Sequence, residues 1–244
     1  VSTENVTTTV ESGILTIRIH RPEARNALTK AMYAAIRDAT RDAYVDDAVD
    51  LVLIRGSEGA FAVGGDLKEM LGDLEAGGRG LFAYDECLPF EAVRSLPKPT
   101  VAVVDGLCIG GGLTLASVCD VVVATSRSKF AMPEARVGVV DAQMPRLFRS
   151  HVPPALLRYW LYSGASFGTD EAFAAGLLTK VVAPEELEAT VDEVVANLRK
   201  GAPGAIRMYK KILNETRHVS SMEDALTTLF GPEAQERIAA FGQH

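Results

Sequence analysis

Thr100-Val-Ala-Val-Val104-Asp105-Gly106-Leu-Cys-Ile-Gly110-Gly111-Gly112-Leu-Thr114-Leu-Ala-Ser-Val118 decides how this chain is to be read. Thr100 to Val104 is a short β-branched and apolar run, the pattern of a buried strand. Gly106 to Gly112 is a turn, and Leu113 to Val118 continues as an apolar helix. Glycines at a strand-to-helix turn let a ligand approach the main chain, and the first N–H groups of the helix have no partner within it. The turn is therefore either an anion or oxyanion site, favoured by the helix dipole, or a tight joint that packs helix on strand. It is not a phosphate-binding P-loop, because no Lys-Ser or Lys-Thr follows the glycines. Nor does it match the GxGxxG dinucleotide pattern.

A second segment has the same setting. Leu51-Val-Leu-Ile54 reads as a buried strand, and Ala60-Phe-Ala62-Val63-Gly64-Gly65-Asp66-Leu67-Lys68 follows it and leads into a helix that Asp66 can cap. Two such turns would let two main-chain N–H groups converge on one oxygen, which is an oxyanion hole. Further out, Ile14-Leu-Thr-Ile-Arg-Ile19 alternates like a half-buried strand. Thr29 caps a helix to about Tyr44, and Val121 to Ala124 is strand again. Gly72 to Gly80 reads as an acidic, glycine-rich surface loop. Phe82 to Ser95 reads as mainly helix, broken near Pro89. From Pro184 on the pattern is helical: Glu185 to Lys200, Gly204 to Thr216 and Met222 to Ala240. The alternation implies an α/β core over residues 1–190 with a helical portion over 191–244.

Composition narrows the classes. The chain has 244 residues, 48 % hydrophobic, with net charge −7 and a pI of about 5.2. An acidic protein is poorly suited to broad phosphate attraction, so nucleic acid is not the expected partner. No basic-then-apolar leader and no membrane-length apolar run is present, so neither export nor a membrane partner is expected and the cytoplasm is the expected compartment. Cys87, Cys108 and Cys119 show no CxxC spacing, and Cys108 and Cys119, in apolar surroundings, read as small buried residues. His20, His151, His218 and His244 lack metal-ligand spacing, so no metal is expected. GxSxG is absent, which removes the usual serine hydrolase.

Several motifs together carry a family resemblance. Arg21-Pro22 with Asn26-Ala27-Leu28 comes first, then Ala60 to Lys68, Gly110-Gly111-Gly112 and Cys119-Asp120. Phe130-Ala-Met-Pro133-Glu134 with Gly138 follows, and then Ala172-Phe-Ala-Ala-Gly176-Leu177. The chain resembles the crotonase superfamily, the enoyl-CoA hydratases and isomerases, over nearly its whole length. That resemblance implies a crotonase-type spiral of ββα units with a C-terminal helical portion, assembled as a homotrimer or hexamer. It implies an acyl-CoA substrate and no cofactor beyond its coenzyme A portion. It implies an oxyanion hole from the N–H groups of Val63 and Gly111. It also implies coenzyme contacts around Ala24, Ala62, Gly65, Asp66 and Leu67. Arg25 and Lys68 are the cations placed for the coenzyme's phosphates; the plainer reading is solvated surface charge.

The chain departs from the hydratase pattern at two places. Hydratases of this resemblance use two glutamates, which divide acid and base work between them. Glu134 stands at the second position, but Thr114 stands at the first, and a hydroxyl is no base near neutral pH. Glu134 alone can still move a proton between carbons, so enoyl-CoA isomerisation is the expected reaction, with hydration or dehydration the alternative. Gly138-Val-Val-Asp141-Ala-Gln-Met-Pro-Arg146 also replaces the glycine-rich run of hydratases. Asp141 falls where dihydroxynaphthoyl-CoA synthases carry an active-site aspartate, without the glycines beside it. It is either a second acid or base, as in another crotonase-type lyase, or a loop residue. A non-catalytic acyl-CoA binding protein is the rival from another class; Thr114 speaks for it and Glu134 against it.

Overall fold

A computed structural model describes residues 3–78 and 87–214. The chain opens with a hairpin of β1 (Val6–Glu11) and β2 (Ile14–Ile19), turned through Ser12 and Gly13, both at positive φ. Such a two-residue turn matches the natural twist of the strands it joins. Next come helix α1 (Lys30–Val45) and a repeating unit: a strand in a large sheet, a short strand in a small sheet, then a helical segment. The first turn of this spiral is β3 (Leu51–Arg55), β4 (Ala60–Ala62) and α2 (Leu67–Glu75). A helix α3 (Phe90–Ser95) precedes the second turn, which is β5 (Thr100–Val104), β6 (Leu107–Ile109) and α4 (Gly111–Ser117). The third is β7 (Val121–Thr125), β8 (Lys129–Ala131) and a 3₁₀ turn over Glu134–Val137.

After the spiral come α5 (Gln143–Phe148), α6 (Pro154–Ser163), β9 (Phe167–Gly168), α7 (Thr169–Ala174), β10 (Lys180–Val182), α8 (Leu187–Leu198) and α9 (Pro203–Asn214). The large sheet runs β1-β2-β3-β5-β7-β10 and the small one β4-β6-β8-β9. From β2 to β10 the large sheet is parallel.

The apolar runs of β3, β5 and β7 are explained by burial on both faces. Val52, Ile54, Ala102, Val104, Val122 and Ala124 face the main core, and the alternate residues Leu51, Leu53, Val101, Val103 and Val123 face a second cluster. That cluster is closed by Leu187, Val191, Val194 and Val195 of α8. The expected boundary at residue 190 lies within α8. Helix α9 is anchored by buried Lys210, which donates to Asp120 Oδ2 (2.7 Å) and the Lys98 carbonyl (3.0 Å).

Two local expectations change. Residues 72–75, read as loop, belong to α2, because Asp66 caps the helix through the N–H groups of Lys68 and Glu69 and one glycine does not end it. The turn over Gly106 to Gly112 contains a strand, β6, and α4 begins at Gly111 rather than Leu113. The first part of the expected Phe82–Ser95 helix and the helix expected over Met222–Ala240 lie outside the described residues.

Asn26, fully buried and at φ 60°, ties the first loop to the second. Its Oδ1 accepts from the Arg21 N–H (2.7 Å), and its Nδ2 donates to the carbonyls of Ser57 (3.1 Å) and Ala60 (2.7 Å). Asn26→Asp keeps the size but removes the donor and sets a carboxylate against those carbonyls. Leaving such buried groups unpaired costs on the order of 1–3 kcal/mol. Urea unfolding should show a lower midpoint with an unchanged slope.

Candidate active site

The two glycine turns meet main chain to main chain. Leu28 and Gly65 form a β-bridge in which Leu28 N–H donates to the Gly64 carbonyl (2.8 Å) and Asp66 N–H to the Leu28 carbonyl (2.9 Å). This holds Val63 and Gly64 at the end of β4. Gly64 takes φ 93°, and a β-carbon there would stand 3.4 Å from the Gly111 nitrogen. Gly110 takes φ 55° and ψ −129°, a region essentially reserved for glycine, and its N–H donates to the Ala131 carbonyl (3.0 Å). Gly111 is the first residue of α4, so its N–H has no acceptor within the helix. A β-carbon on Gly112 would collide with the Ala62 carbonyl. Val63 and Gly111, the expected oxyanion pair, are thus brought together by main-chain contact.

Glu134 stands beside them. A β-carbon on Gly110 would come within 2.7 Å of Glu134 Oε1, so the carboxyl rests against the glycine turn. Its 3₁₀ turn is fixed from outside: Arg136 Nε donates to the Ser163 carbonyl (2.7 Å), and Phe130 of β8 stacks on Phe167, which stacks on Trp160. Burial, helped by the nearby Asp141 charge, pushes the Glu134 carboxyl up to about 8.

Asp141 is not a solvent loop residue. Thr114 Oγ1 donates to Asp141 Oδ2 at 2.6 Å, and the N–H groups of Gln143 (2.8 Å) and Met144 (3.3 Å) reach Oδ1. Burial raises the Asp141 carboxyl, and these three donors oppose the rise. A carboxylate therefore sits beside the position at which the sequence carries threonine in place of glutamate.

The other expected residues fall on the loop before α1, the end of β4 and the start of α2. Arg25 is exposed in a left-handed conformation (φ 50°) and Lys68 is exposed at the start of α2; neither has an ion-pair partner among the described residues. Ala24 and Leu67 are half-buried, Ala62 is buried, and Gly65 lies against the Met70 methyl. The Asp66 carboxylate is spoken for: it caps α2 and accepts from Arg21 Nη1 (2.5 Å), which favours its charged form against the cost of burial. A coenzyme contact at Asp66 would fall to its main chain. Cys119-Asp120 and Gly176-Leu177 lie at the far end of α4, around a separate cavity of about 250 Å³ with Phe148 and His151. Asp120 there binds the Thr100 N–H (2.7 Å) and hydroxyl (2.9 Å), so this motif is structural.

A sequence profile of the enoyl-CoA hydratase/isomerase family matches residues 9–230. The chain belongs to that family. It is 33 % identical to a crotonyl-CoA hydratase of Syntrophomonas wolfei, over 98 % of this chain and 95 % of the relative. It is 32 % identical to a probable enoyl-CoA hydratase of Rhizobium meliloti, over 92 % and 90 %. The crystal structure of an enoyl-CoA hydratase from Mycobacterium avium subsp. paratuberculosis superposes with a TM-score of 0.86 at 27 % identity, covering 99 % of this chain and 97 % of that one. The architecture of two sheets wound by ββα turns is the crotonase fold of these relatives.

For this family member, one residue at the site escaped sequence reasoning. Tyr33 of α1 is buried, and a β-carbon on Gly111 would run into its hydroxyl. Its only signal in the sequence is its place one turn after the Thr29 cap, on the apolar side of the helix.

Glu134 also links the site to stability. Its folded value lies above the ordinary 4.5, so the folded chain keeps a proton that the unfolded chain releases. Its contribution is complete below about pH 4.5 and is lost as pH rises toward 8. Glu134→Gln should therefore melt higher than the parent at pH 8, by about 2–4 °C per kcal/mol relieved, with the gap shrinking toward pH 5. Calorimetry at the two pH values measures this.

Proposed function

We propose that this enzyme adds water to, or removes it from, a 2-enoyl-CoA thioester, using Glu134 and Asp141 as a pair of carboxyl groups. The observation that carries this reading is the 2.6 Å bond from the Thr114 hydroxyl to Asp141, which sets a second, half-buried carboxylate within electrostatic range of Glu134. Two carboxyls whose environments differ can divide acid and base roles. The hydratase names of the relatives support the same direction.

In hydration, the thioester oxygen accepts from the N–H groups of Val63 and Gly111, where negative charge develops. Asp141 takes a proton from water as its oxygen bonds to the β-carbon, and protonated Glu134 delivers its proton to the α-carbon. Dehydration runs the same steps backward. Each turn exchanges which carboxyl holds the proton, and solvent restores the starting state. Arg25 and Lys68 meet the coenzyme's phosphates, an exposed electrostatic contact that salt weakens. Self-association as a homotrimer or hexamer accompanies this reading, supported by exposed Tyr159, Tyr162 and Phe173 on α6 and α7.

A second reading, double-bond isomerisation by Glu134 alone, has one observation in its favour. Both Asp141 oxygens already accept protein hydrogen bonds, as those of a purely structural helix cap would.

The two readings separate on Asp141→Asn. Under the first, hydration of crotonyl-CoA falls by about 10²–10⁴-fold, as when a general base is lost. Under the second, 3-enoyl-CoA still isomerises near the parental rate. Glu134→Gln abolishes turnover under both while acyl-CoA affinity is retained. The parent's kcat/KM should decline above about pH 8, because the working state holds one proton on the pair. In Asp141→Asn any remaining alkaline limb moves to lower pH, since a like charge that raised the Glu134 value has gone. Product position read by NMR, with rates followed across pH, makes the distinction.

A further inference from the structure

Helix α1 brings to the site a side chain that the proton-transfer scheme does not use. Tyr33 is 3 % exposed, and its ring meets Phe90 edge-on with centroids 5.9 Å apart. Its Cζ lies 3.7 Å from the place a β-carbon on Gly111 would take, and its hydroxyl oxygen is nearer still. Its Cε2 lies 3.9 Å from the corresponding place on Gly65. Tyr33 therefore spans both glycine turns, with its hydroxyl toward the one that begins α4. Burial holds the phenol well above its ordinary range, and the charges of Asp141 and Glu134 act in the same direction. The hydroxyl keeps its proton at every working pH.

We propose that the Tyr33 hydroxyl is a third hydrogen-bond donor to the thioester enolate oxygen, beside the N–H groups of Val63 and Gly111. This rests on the enolate reading of the site given above. The chemistry favours a phenol over a cation here. Each preorganised donor aimed at the developing oxyanion lowers the barrier further, and a neutral phenol adds one without adding charge. A lysine or arginine in its place would also hold Glu134 ionised, and so remove the proton that the α-carbon must receive.

The test uses Tyr33→Phe, which keeps the ring on Phe90 and removes only the oxygen, with folding checked by circular dichroism. The probe is 4-dimethylaminocinnamoyl-CoA, whose absorption band moves to longer wavelength as its thioester carbonyl is polarised. The parent should shift this band strongly and Tyr33→Phe less. For crotonyl-CoA, kcat should drop at least about tenfold, toward the 10²–10³-fold seen when an oxyanion donor is lost, with KM little changed. Replacing Tyr33 with 3,5-difluorotyrosine, a stronger donor of nearly the same shape, should move the band further to the red. A parental band shift and kcat in Tyr33→Phe, or no response to fluorination, overturns the role of Tyr33 and leaves the oxyanion pair standing. A parent that does not shift the band overturns both, because the glycine turns would then not polarise the thioester.

Discussion

The site depends on the contact between the main chain at the end of β4 and the main chain that opens α4. It needs glycine on both sides. Gly112 has no room for a β-carbon against Ala62, and Gly64 on the other side takes φ 93°. Gly110 adopts a backbone conformation closed to other residues. Because β4 and β6 are neighbours in the small sheet, this contact also sets how successive turns of the spiral stack. The proposed oxyanion site is therefore not added to the fold at its surface: Gly111 is held at the start of α4 by the same main-chain contact that packs two turns of the spiral together.

Around that contact the protein holds groups that resist being there. Glu134 and Asp141 are both half-buried carboxyls, each raised chiefly by loss of water. Asp141 is compensated by one hydroxyl and two main-chain donors; Glu134 has its own turn's main chain and little else. The asymmetry matters. The carboxyl with more hydrogen-bond donors gives up its proton first, and the less compensated one keeps it. A pair with one proton between them is what reversible chemistry at adjacent carbons requires. The rigid supports outside the site, Trp160 on Phe167 on Phe130 and Arg136 on the Ser163 carbonyl, keep Glu134 in this unfavourable place.

Much of this was legible in the sequence, for physical reasons that can be named. Strands β3, β5 and β7 are buried on both faces, so they read as apolar runs, and Thr29 and Asp66 announce their helices by capping them. The three-residue strands β4, β6 and β8 could not be read, because so short a segment has no period. The spiral likewise hides as a sequence repeat, since its turns differ in length while sharing only a strand–strand–helix order. At the site, the glycine turns and Glu134 were visible as motifs. The bond between Thr114 and Asp141 was not, because it joins residues 27 apart on α4 and the lead-in to α5. Asp66 shows the converse: it stands in a ligand motif, yet its carboxylate is consumed by Arg21 and the α2 cap.

Under the proposed hydration, Thr114 shows how a motif can be lost in sequence while its chemistry is kept in space. Read by position, threonine for glutamate removes a base. In the fold, its shorter side chain leaves room for Asp141, and its hydroxyl donates the bond that holds that carboxylate in place. A glutamate at 114 would instead meet Asp141 as a third acid in the same buried space, where each further charge is harder to ionise than the last. Thr114 and Asp141 are then alternatives to the missing glutamate only as a pair, one supplying the charge and the other its orientation. The count of carboxyls around the thioester, rather than the residue at any one motif position, is what limits the chemistry.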